Sequence, residues 1–429
     1  MKDVLAFCAY LLLPLIGIGI WRLSSIRRFD LGGRLAAAGA AGAAIVAALL
    51  ALLSIASIRW SRGVVFPVVT VIAAIGISLA RPLKRSDAPA ERREPWAIAA
   101  LAVVAILVVY GLLTARMTCG DLHFFWGPKA VHFYRDGGVT VGFLGDPNAA
   151  RMNPGYPLLL PMLYAWSETI AGQFSWWSAV LSTALFLFGS VALLRSTARE
   201  SRGAVLMCAT LAYALAVADA AGAGEPPLIF FETLAIVAVT FIREPRDQTI
   251  LAALGLAGAV MTKIEGATFV IAVVIAMLIL RRSPKRILFI ALPAAVLLGA
   301  WLGFVRFHDL SEYYRGATMP IYFAALPGTL LTLAKAAGYE LYGLPWLAPI
   351  ILFVLGPNPR NGILPMTVAV LTFMAAVFFY IHLRDPTWWI LSSAPRVLLT
   401  PLTALLIASA AAWRSNADLS YSPGNGVVS

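Results

Sequence analysis

Residues 35–58 read LAAAGAAGAAIVAALLALLSIASI, a run without a single charge. About 20 mainly apolar residues suffice for a helix to cross a bilayer core roughly 30 Å thick. Comparable apolar stretches occupy 4–21, 64–80, 96–114, 174–194, 204–221, 226–242, 249–262, 266–280, 287–304, 342–356, 363–383 and 397–413. Composition agrees: 60% of the 429 residues are hydrophobic and 13% charged, against roughly 25% charged in a soluble domain. The expected fold is all-α, a polytopic integral membrane protein of about 13 transmembrane helices.

The formal charge of +12 is distributed in a pattern. Alternate connections carry it: Arg22, Arg27, Arg28 and Arg34; Arg81, Lys84, Arg85, Arg92 and Arg93; Arg195, Arg199 and Arg202; Arg243 and Arg246; Arg281, Arg282, Lys285 and Arg286; then Arg360 and Arg414. By the positive-inside rule these connections are cytoplasmic. Sidedness read this way puts the N-terminus outside and the C-terminus inside, and a basic balance of this kind fixes orientation rather than binding nucleic acid. The segment 4–21 lacks a small-residue cleavage site before Trp21 and Arg22, so it reads as a retained helix. Cys8, Cys119 and Cys208 have no paired spacing, which implies neither a disulfide framework nor a zinc site.

The longest extracytoplasmic connection, 115–173, contains CGDLHFFWGPKAVHFYRDGG. Asp121, His123, Trp126, Lys129, His132, Tyr134, Arg135 and Asp136 gather there in an otherwise oily chain, and polar groups beside a membrane span are expensive unless they have work to do. The spacing predicts a helix over 121–135 lying along the interface, stopped by Gly137 and Gly138. The proline-punctuated NPGYPLLLPMLYAW at 153–166 reads as a second amphipathic stretch lying on the membrane or dipping into it.

Asp121 directly after a span, then Trp126 and Lys129-Ala130 on the following helix, Tyr156-Pro157-Leu158 at a helix start, Glu225 opening a later span in AGEPPLIFFE, and the turn MTKIEG at 261–266 form an ordered series. In order and sidedness it resembles the polyprenyl-phosphate-dependent glycosyltransferases of the C-type membrane fold, the group of protein O-mannosyltransferases and the aminoarabinose transferase of lipid A. The resemblance covers 96–413; residues 1–95 look like three helices added to that core, and 414–429 like a disordered cytoplasmic tail. Relatives often carry His-Pro-Asp where this chain has Asn153-Pro154-Gly155, so no role of that acid carries over.

The resemblance implies a sugar moved from a polyprenyl monophosphate donor to an acceptor hydroxyl on the extracytoplasmic face, by inverting displacement. Such a reaction needs a base for the acceptor proton and cations for the leaving phosphate. Asp121 is the candidate base, its carboxyl raised by the shelter of Phe124, Phe125 and Trp126; the plainer alternative is a helix cap. Glu225 is the second acid, orienting the acceptor or a metal, or else simply complementing a helix dipole. Lys263, Arg396 and Lys129 are candidates for the donor phosphate; the alternative is interfacial anchoring for each, or for Lys263 a local pair with Glu265. Arg396 is expected to close an outer loop, RDPTWWILSSAPR. His123, Trp126, Tyr156 and Glu265 complete the substrate-binding candidates. A divalent metal is possible and not favoured, because no second acid lies close to Asp121 within the loop. The polar loop RFHDLSEYYRG could cover the site or be a solvated connection.

A lipid or solute transporter, or flippase, of the cell envelope is the main rival, since many spans and intramembrane charges suit a pathway equally well. A noncatalytic assembly subunit is a second. No glycine-rich phosphate loop, HExxH or GxSxG is present. The expected location is a bacterial inner membrane, with the site facing the periplasm or exterior. The expected partners are membrane lipids, the lipid-linked sugar and a glycan, lipid or protein acceptor.

Overall fold

The structure, a computed structural model, describes residues 2–80, 109, 119–197, 222–310, 323–339 and 344–413. Among them there is no β-strand. The helices are α1 (Lys2–Leu11), α2 (Leu13–Ile16), α3 (Leu31–Ile55), α4 (Arg62–Leu79), α5 (Gly127–Asp136), α6 (Val141–Leu144), α7 (Leu159–Ala171), α8 (Trp176–Thr197) and α9 (Glu225–Phe241), followed by α10 (Pro245–Thr262), α11 (Glu265–Ile279), α12 (Pro284–Phe307), α13 (Leu326–Tyr339), α14 (Leu344–Leu355), α15 (Ile363–Ile381), α16 (Pro386–Val397) and α17 (Leu399–Ala412).

Seven stretches among the described residues are long and apolar enough to cross a membrane: Lys2–Arg22, Leu31–Ile55, Arg62–Leu79, Trp176–Ser196, Pro284–Phe307, Pro359–Ile381 and Pro386–Ala412. The expected spans 226–242, 249–262 and 266–280, and the described part of 342–356, are largely helical but shorter or more polar than that. The expected spans 96–114 and 204–221, and the tail from 414, lie outside the described residues.

α9 is the hub: α8, α10 and α17 all pack against it, and every residue from Glu225 to Val239 is buried. Small residues let α10 come close. A Cβ on Gly255 would lie 2.6 Å from the Ala235 nitrogen and 2.7 Å from the Phe231 oxygen, so only a glycine lets these backbones meet. The outward faces stay oily. On α12, Leu288, Phe289, Leu292 and Val296 are exposed, spaced so that they share one side of the helix.

Two sequence expectations need correction, and a third holds with a break: the segment 4–21 is long and apolar enough to cross a membrane, yet it steps from α1 to α2 and into a 3-10 turn at Ile18–Arg22. Pro14 has no N–H to donate, and its ring would crowd the preceding turn. The loop expected over 384–396 is helical, because Asp385 caps α16 by accepting the Trp388 N–H at 3.0 Å and Pro386 suits the first turn. The stretch at 153–166 does not rest on a surface, since α7 is buried at every residue from Leu159 to Thr169, packed against α1, α3 and α5. The expected helix at 121–135 is present as a π-helical turn, Leu122–Trp126, running into α5. It ends where predicted, at Gly137 with φ of 73°, a left-handed stop that glycine takes at little cost.

Candidate functional site

Four separate parts of the chain meet at one end of the bundle. Asp121 stands at the entry to the π-helical turn. Glu225 is the first residue of α9, behind Gly222 and Gly224. Lys263 occupies the short connection between α10 and α11, in extended backbone, and Glu265 opens α11. Arg396 lies in the last turn of α16. Because α10 and α11 join through so few residues, Lys263 is held at the tip of a tight helical hairpin.

The contacts form one connected chain of charges. Arg396 Nη1 donates to Asp121 Oδ2 at 2.6 Å and lies 3.8 Å from Glu225 Oε1. Lys263 Nζ donates to the same Glu225 oxygen at 2.8 Å and lies 3.3 Å from Glu265 Oε1. Two cations therefore face three carboxylates. Glu225 and Lys263 are almost wholly shielded, while the Arg396 and Asp121 side chains keep 28% and 18% of their surface and Glu265 keeps 32%, so the cluster is sealed at its centre and opens to its surroundings at both ends. The expectation of no second acid close to Asp121 concerns its own loop; in space Glu225, from another part of the chain, flanks the same guanidinium.

Burial raises the Asp121 carboxyl above its ordinary value, Glu225 adds to the rise, and Arg396 and Lys263 oppose it. The side chain makes no cap hydrogen bond to the following turn, so its observed partner is Arg396 and not the helix start. Two buried oxygens in the cluster, Glu225 Oε2 and Glu265 Oε2, have no hydrogen-bond partner, and neither does the buried Trp126 Nε1. Unsatisfied atoms of this kind are costly in a finished interior, and in a site they are where a ligand's donors and acceptors fit. No known protein family matches this chain, and neither does any curated protein or solved structure.

The aromatic candidates form one wall. Trp126 is buried and packs edge-on against Tyr156, with ring centroids 5.8 Å apart. A Cβ on Gly224 would come within 3.2 Å of the Trp126 ring and 2.9 Å of the Lys263 side chain, so the glycine lets the indole and the lysine stem converge beside Glu225. His123 lies against Trp176, centroids 4.7 Å apart, on the same turn as Asp121.

Lys129 departs from the expectation that it contacts a donor phosphate. Its side chain is fully buried, its Nζ donates to the Asn153 carbonyl oxygen at 2.8 Å, and it sits 5.0 Å from the centre of the Trp126 ring. α5 is amphipathic, and residue 129 falls on its inward side. Lys129 thus holds the Asn153-Pro154-Gly155 turn, whose other end is fixed by the Trp301 indole N–H donating to the Gly155 oxygen at 2.9 Å. Burial lowers the Lys129 ammonium from 10.5 to about 7. Between those two values the unfolded chain binds the extra proton, so stability rises with pH across this window. Melting curves of wild type and Lys129→Met should therefore show wild type gaining on the variant from about pH 7 towards 10.5; a difference independent of pH would sink this account.

Glu232 escaped the sequence reading. It lies two turns beyond Glu225 on the same face of α9, is fully buried, and accepts the Thr400 hydroxyl at 3.0 Å on Oε1 while Oε2 has no partner. The signal was available, since a carboxylate inside an apolar span is as costly as the Lys263 charge that did attract attention. Of the polar loop RFHDLSEYYRG, His308 rests on Phe304 and Phe307, and the residues from 311 lie outside the description.

Proposed function

We propose that the chain is a polytopic membrane protein of about 13 spans and a glycosyltransferase that draws its sugar from a polyprenyl monophosphate. The observation that carries this reading is the charge chain Asp121–Arg396–Glu225–Lys263–Glu265, set at one end of an oily bundle and walled by Trp126 and Tyr156. In the reaction, the acceptor oxygen forms a bond to the anomeric carbon as the bond from that carbon to the phosphate oxygen breaks. Asp121 takes the acceptor's proton, and the polyprenyl phosphate leaves with the electron pair.

The pairing supplies a reason for Arg396. When Asp121 accepts a proton it loses the charge that Arg396 balances, at the step in which the departing phosphate gains charge. The guanidinium is then free to turn its fork to the phosphate, with Lys263 as a second point charge. Glu225 and Glu265 keep unpaired oxygens that suit the hydroxyls of a sugar. An apolar cavity of about 310 Å³ bordered by Leu35, Phe186 and Phe230 offers room for part of a lipid chain. The basic connections favour an extracytoplasmic position for the Asp121 end, where nucleotide sugars are not supplied and a lipid-linked donor is.

Glu232 favours a second reading. A wholly buried carboxylate partway along a helix suits a translocation pathway as well as an enzyme. Purified protein incubated with a panel of radiolabelled polyprenyl-phosphate sugars separates the two: release of free polyprenyl phosphate from one donor is the expected result. Failure to turn over any donor, with lipid or solute flux in vesicles that depends on Glu232, would replace the transferase by a transporter.

A further inference from the structure

At the other end of α9, roughly 25 Å from Glu225 at 1.5 Å per residue, lies a second polar feature that the transfer reaction does not use. A cavity of about 280 Å³ is bordered by Thr240, Arg282, Arg360, Asn361, Ile363 and Leu364, among others, and no carboxylate lines it. Neither arginine makes an ion pair among the described residues. The Asn361 amide nitrogen and the Thr240 hydroxyl are both buried there without a hydrogen-bond partner. The cavity also receives the start of α15, entered through the turn Pro359–Gly362.

All of these groups ask for the same thing. Two guanidinium groups are the only full charges among the described lining residues; beside them lie an amide N–H, a hydroxyl, the positive start of a 19-residue helix and the carbonyl ends of α9 and α11. Planar guanidinium forks match phosphate oxygens in pairs. The remaining border, Val239, Phe241, Leu280 and Ala411, is apolar and admits the carbon adjoining a phosphate ester. We infer that this cavity is a phosphate-binding site, remote from the carboxylate cluster, that takes either the headgroup phosphate of an anionic lipid or a soluble phosphate. This inference does not depend on the transferase reading.

The test uses the full chain in non-ionic detergent and two probes, radiolabelled inorganic phosphate and phosphatidylglycerol, with phosphatidylcholine as the neutral control. Native mass spectrometry counts retained lipid, and equilibrium dialysis measures phosphate. Wild type should retain phosphatidylglycerol over phosphatidylcholine, or bind phosphate. Arg282→Gln with Arg360→Gln should weaken that binding tenfold or more, while Lys285→Gln, outside the cavity border, changes it less than twofold. Retention of phosphatidylglycerol that phosphate does not displace assigns the site to a lipid headgroup; displacement by phosphate assigns it to a soluble ligand. Should the double variant melt earlier than wild type, Arg360→Gln alone decides, with a threefold loss expected. Binding unchanged in the variants, or no binding of either probe by wild type, overturns the inference.

Discussion

Lys263→Met should lower stability by about 3–5 kcal/mol, the range found when one partner of a buried ion pair is removed. The cost arises from what stays behind. Glu225 is almost fully shielded and would keep only Arg396, at 3.8 Å, as a cation within reach. Glu265 would lose its 3.3 Å partner as well. Thermal melting in detergent reads the loss directly. Combining Lys263→Met with Glu225→Gln removes both buried charges and should recover most of the lost melting temperature, yet not sugar transfer. A Lys263→Met protein that melts with wild type would mean that the pair does not form.

Asp121→Asn should reduce transfer by a factor of about 10²–10⁴, the usual contribution of a positioned general base, with the melting temperature changed far less than by Lys263→Met. The pH profile carries a finer expectation. In the proposed reaction Asp121 acts ionised, so the rate should fall tenfold per unit once pH drops below its carboxyl value. Burial and Glu225 raise that value, so the acid limb lies above the pH at which a surface aspartate would titrate. Arg396 holds the value down. Arg396→Gln should accordingly move the acid limb to higher pH, besides slowing the proposed reaction by removing the cation assigned to the leaving phosphate. An acid limb that stays in place in Arg396→Gln would separate the two side chains functionally.

The helical character of the chain and the membership of the charge cluster were largely legible in the sequence, for one reason. In an apolar chain a charged residue stands out, so Asp121, Glu225, Lys263 and Arg396 could be picked before any coordinates existed. Their geometry was not legible. Nothing local in RDPTWWILSSAPR says that Arg396 comes back to Asp121, because that contact belongs to the packing of α16 and α17 and not to the loop. Lys129 was misjudged through its neighbours: it shares a segment with polar residues, but the 3.6-residue period of α5 turns it inward to the Asn153 carbonyl. The glycines at 224 and 255 gave no signal either, since close approach, of side chains to Gly224 and of another backbone to Gly255, is a property of both partners.

The pairing of Asp121 with Arg396 joins residues 275 positions apart. A ribosome delivers the acidic members and Lys263 long before it delivers the arginine, so a growing chain holds a surplus of negative charge until its closing helices emerge. Insertion of the segment from Pro386 to Ala412 is thus the event that balances the cluster and completes the site, and chains halted before that point are the ones a quality-control protease would meet with a carboxylate pair still lacking its guanidinium.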